Sequence, residues 1–82
     1  MYRIRHFASH ADRHAGRYFD NGACSTLKAA NIAARDDCQD SPEGTEVHVV
    51  GPYGTTHLWR REGERAYRRT LGCRCFAAQE AR

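Results

Sequence analysis

The chain has 82 residues, of which 28% are charged and 10% aromatic, with a formal net charge of +3. A chain of this size supports one modest core and buries only about 60% of the surface that its unfolded form exposes, so residues 1–82 read as a single small domain. No apolar run approaches the roughly 18 residues of a membrane helix, and no apolar signal core follows the first cations, which predicts a cytosolic chain without membrane contact.

Tyr2, Ile4, His6 and Ala8 alternate with Arg3, Arg5 and Phe7, the period of a strand with two arginines on its polar face. Ser9 to Gly16 breaks that pattern. Arg17-Tyr18-Phe19 predicts a short second strand, ended by the turn residues Asp20-Asn21-Gly22. From Ser25 as N-cap, Leu27, Ala30, Ala34 and Cys38 recur at helical spacing, and the alanines permit close approach to a sheet.

Gln39 to Thr45 gathers Asp, Ser, Pro and Gly and predicts a loop leading to a strand over Glu46–Val50. Gly51-Pro52-Tyr53-Gly54 then reads as a hairpin turn, with Thr55 to Arg61 returning antiparallel. A type I turn on Pro52 and Tyr53, completed by a left-handed Gly54, makes a three-residue loop that opposes Gly51 to Thr55, Val49 to His57 and Val47 to Trp59. Val47, Val49 and Trp59 then share the face toward the helix, while His48, Val50, Thr56 and Leu58 share the other. Glu64 to Arg69 fits a short helix or an extension of the last strand. Cys73-Arg74-Cys75-Phe76 has no clear period, and 76–82 reads as a frayed end.

No motif assembles a catalytic trio, a phosphate-binding glycine loop or a four-ligand zinc site, which predicts no enzyme activity, no metal and no cofactor. His6, His10 and His14 recur every four residues, a spacing that stacks metal ligands on a helix, but His6 belongs to the first strand and Gly16 interrupts any helix, so solvated histidines are expected. The four cysteines read mostly as free thiols. Cys24 and Cys38, fourteen helical steps or about 21 Å apart, are too distant to bond each other.

Charge is the uneven property. Five carboxylates and no cation lie between Asp36 and Glu46, whereas Arg60 to Arg74 holds six arginines against two glutamates. The acidic segment Asp36, Asp37, Asp40, Glu43 and Glu46 is one candidate partner-binding surface. The basic and aromatic residues Arg60, Arg61, Arg65, Tyr67, Arg68 and Arg69 are the other, with the composition of a nucleic-acid surface.

The order of strand, alanine-rich helix and the hairpin Glu46-Val47-His48-Val49-Val50-Gly51-Pro52-Tyr53-Gly54, followed by Trp59-Arg60-Arg61, resembles that of small phage and prophage accessory proteins, among them anti-CRISPR proteins that inhibit type I systems. The resemblance implies a non-enzymatic CRISPR-Cas inhibitor that docks on a protein subunit of the Cascade surveillance complex and blocks target DNA binding or nuclease recruitment. The expectation is an α+β domain in the order β-(β)-α-β-β, monomeric or homodimeric, acting through protein–protein interaction; the alternative is a small nucleic-acid-binding phage or regulatory protein using the arginine cluster at 60–74.

Overall fold

A computed structural model describes residues 1–69. The expectations for Cys73, Arg74, Cys75 and the end at 76–82 lie outside them. Seven elements follow in order: β1 (Tyr2–Phe7), α1 (His10–Ala15), β2 (Phe19–Cys24), α2 (Leu27–Gln39), β3 (Glu46–Gly51), β4 (Gly54–Glu62) and β5 (Arg65–Arg69). The strands form one sheet in the order β2-β1-β3-β4-β5, antiparallel at every step. With α2 packed across one face, the domain is α+β, as the sequence predicts.

The core follows from two periodicities meeting. Ala30, Ala34 and Cys38, each four residues on, make the fully buried stripe of α2, and Ile4, Val47 and Val49 present the alternate residues of β1 and β3 to it. Alanine at the contact brings the helix backbone close to the sheet, where a larger side chain would hold it away. Trp59 packs against the edge of this cluster and donates its indole N–H to Asn31 Oδ1 at 2.8 Å, which satisfies the one polar atom of its large, half-buried side chain. The N-cap is Thr26, one residue after the predicted Ser25; its Oγ1 accepts from the Ala29 N–H at 3.2 Å.

The hairpin keeps the expected inward face by a different turn. Gly51 pairs with Gly54 and Val50 with Thr55, leaving only Pro52 and Tyr53 in the loop, and the register then slips so that Val49 faces His57 and Val47 faces Trp59. Thr56 is the extra residue of this bulge, and its hydroxyl donates to the Val49 carbonyl at 3.1 Å. Gly54, at φ 116°, takes the backbone conformation that lets the short turn feed the bulge.

Three elements depart from the sequence reading. Between Ser9 and Gly16 lies a helix, His10–Ala15, closed by the Ser9 hydroxyl accepting from the Asp12 N–H at 3.1 Å and by Gly16 at φ 74°. Six residues do not sustain a helix alone, so distant contacts described below hold it. The second strand begins at Phe19, where Arg17–Phe19 was expected, and runs through Asp20-Asn21-Gly22, because an almost wholly exposed edge strand beside the exposed Arg3 needs no apolar face. Arg65–Arg69 is a fifth strand, hydrogen-bonded to β4.

Candidate functional site

Strand alternation places Glu46 opposite Val47, on the sheet face away from α2, where its side chain is fully buried. Two cations and a histidine converge on that carboxylate. Arg13, from α1, donates its Nε–H to Glu46 Oε1; Arg60, the cross-strand neighbour on β4, donates to Oε2 at 3.0 Å; His10 Nδ1 lies 2.9 Å from Oε2. This is what holds α1 on the sheet. Burial alone would raise the Glu46 pKa, but the hydrogen bond from His10 and the charges of Arg13 and Arg60 outweigh it and hold the carboxyl below its usual range.

Beside this cluster lies a cavity of about 220 Å³ lined by Arg5, Phe7, Arg13, His14, Tyr18 and His48. The Arg5 guanidinium sits over the Tyr18 ring at 4.5 Å. Burial, reinforced by the positive charge of Arg13, pushes the His48 pKa down to about 4, so its ring is neutral at pH 7.

The acidic residues read from the sequence do not form one surface. Glu46 is inside, and Asp37 is taken by His6, whose Nδ1 lies 2.8 Å from Asp37 Oδ2 with the ring stacked on Phe19. Asp36, Asp40 and Glu43 are exposed around the end of α2. Three carboxylates there oppose the helix dipole, and α2 has no cation in its last turn. Arg61 supplies one from β4: its Nη1 donates to the carbonyls of Gln39, at 2.6 Å, and Ser41, and its Nε to that of Gly63 at 3.0 Å.

The arginine cluster divides in the same way. Arg60 and Arg61 serve the interior and the helix end, and Arg69 pairs with Glu62. Arg65, Tyr67 and Arg68 are exposed on the edge strand β5. No local pattern in the sequence separates the structural arginines from these.

The two exposed remnants meet at one corner. Gln39, at the end of α2, donates to the Glu64 carbonyl at 2.7 Å and accepts from the Ala66 N–H at 2.9 Å, while Glu43 accepts from the Gly63 N–H at 2.9 Å. Segments about 25 residues apart in sequence are thereby fixed side by side. Compared with family models, curated proteins and solved structures, the chain matches none.

Both described cysteines are free thiols. Burial, with Asp37 nearby, pushes Cys38 up to about 12, and its Sγ–H donates to the Thr45 carbonyl at 3.8 Å, the environment of an inert packing residue. Among the described residues no three His, Cys, Asp or Glu side chains are grouped to hold a metal ion, and no helix is long and apolar enough to cross a membrane.

Proposed function

We propose that the chain is a non-enzymatic docking domain that binds a protein through the corner where the end of α2 meets the β4–β5 hairpin. Its proposed partner is a subunit of a type I CRISPR surveillance complex, in keeping with the resemblance to small phage inhibitors. The observation that carries the docking surface is the pair of hydrogen bonds made by Gln39, which fixes the end of α2, with Asp36, Asp40 and Glu43, against β5, whose Arg68 shares the α2 face of the sheet while Arg65 and Tyr67 project from the other. Charges of both signs along this edge of the sheet suit a protein, whose own surface is mixed. A phosphate backbone is served less well, because three exposed carboxylates beside the arginines oppose it.

A pull-down of purified type I complexes by the full chain, with and without target DNA, tests this reading. Capture that target DNA competes away supports it, and failure to capture any subtype overturns the named partner. An electrophoretic shift of DNA or RNA at low salt, with a steep salt slope that flattens in Arg65→Ala, would replace the protein partner with nucleic acid.

A further inference from the structure

The function proposed above leaves α1 unused except as a cover for Glu46. Its exposed side carries His10 and His14, one helical turn apart, whose Nε2 atoms lie 3.1 Å from each other with the rings edge-on. We propose that these two nitrogens form a binding site for a divalent first-row transition ion of the Zn2+ class. Two Zn–N bonds of about 2.05 Å that meet at about 100° span about 3.1 Å, so the nitrogens already stand at the bite of one ion.

The second observation is the atom behind His10. Its Nδ1 lies 2.9 Å from Glu46 Oε2, a carboxylate held ionised by Arg13 and Arg60, which requires a proton on Nδ1. The longer approaches of the Arg13 and Arg60 nitrogens to the same Nδ1, at 3.3 and 3.4 Å, would ask that atom to accept instead. The shorter contact to a full negative charge prevails, and both guanidiniums have Glu46 itself as acceptor. With the proton on Nδ1, the lone pair of His10 Nε2 accepts from the His14 Nε2–H, and the ion takes the place of that proton, which His14 moves to its Nδ1 through solvent. A carboxylate that orients a ligating histidine from its far nitrogen is the usual support of a zinc-bound imidazole. The Arg13 and Arg60 charges, only one of them balanced by Glu46, oppose a cation here, and the described residues supply two ligands; both favour modest affinity.

Calorimetric titration of the full chain with Zn2+ tests the site, with Co2+ as a spectroscopic probe of the ligand atoms. Expected are one bound ion per chain, no thiolate charge-transfer band with Co2+, and affinity weakened by more than about tenfold in His10→Ala and in His14→Ala. His57→Ala, a histidine on β4, is expected to leave it unchanged. His14 is exposed and lies outside the buried core cluster, so circular dichroism of His14→Ala is expected to match the parent. Absence of Zn2+ binding, unchanged affinity in folded His14→Ala, or a thiolate band with Co2+ would each overturn the proposal.

Discussion

Replacing Glu46 with Gln keeps the side chain's shape and removes its charge. Arg13 is then left 5% exposed with its guanidinium against a neutral amide, and Arg60 and His10 lose the same acceptor charge. Breaking a buried pair by removing one partner costs about 3–5 kcal/mol. A stability of roughly 0.05–0.15 kcal/mol per residue gives about 4–12 kcal/mol for this chain, so Glu46→Gln removes a large part of it. Urea denaturation followed by Trp59 fluorescence reads the loss as a lower midpoint at unchanged slope. The double variant Arg13→Met with Glu46→Leu is expected to recover at least about 1.5 kcal/mol relative to the sum of the single losses, since the deeply buried Arg13 charge is then not stranded. A loss below about 1 kcal/mol for Glu46→Gln, or strict additivity in the cycle, would refute the placement of Glu46 as the charge that fastens α1 to the sheet.

Acid should unfold the domain in two stages. His48 has a folded pKa of about 4 against 6.5 unfolded, so the unfolded state takes up a proton first; the stabilisation is complete above pH 6.5 and falls by about 3 kcal/mol as pH drops through 4. Glu46, depressed below 4.5, contributes stability above that pH and loses it as pH falls further; His48→Gln should flatten the first stage of a stability–pH profile. Trp59→Phe is expected to cost about 1–2 kcal/mol, from the lost bond to Asn31 and reduced packing, read as a lower urea midpoint. In the native protein an alkylating reagent should leave Cys38 unmodified while labelling half-buried Cys24, which peptide mapping by mass spectrometry checks; equal labelling would contradict the burial of Cys38.

What the sequence made legible is the part whose signal is periodic. Ala30, Ala34 and Cys38 mark the inner stripe of α2, and the alternation of Val47, Val49 and Trp59 marks the inner face of the hairpin even though the turn holds two residues and a bulge instead of three. Elements held by single long-range contacts were not legible. α1 is six residues long without an apolar stripe, and it stands because Arg13 reaches a carboxylate 33 positions away. β2 is an edge strand whose Asp-Asn-Gly reads locally as a turn. The same alternation that placed Val47 inward placed Glu46 on the opposite face, so its separation from the acidic loop could have been read; its burial could not, because Arg13 and Arg60 supply it. Nor does the order of residues show that Gln39 would tie the end of α2 to β5.

The central claim is that the acidic and basic remnants act as one surface. Binding of a purified type I surveillance complex to the immobilised full chain should be compared with Asp36→Lys/Asp40→Lys and with Arg65→Glu/Arg68→Glu, all at one salt concentration. These are exposed positions, and the lysines at the helix C-terminus favour the dipole, so both variants should remain folded. Loss of binding in both, by about tenfold or more, is the expected result for a shared contact of rim charges. Full binding by either variant would show that the corner is not one docking site.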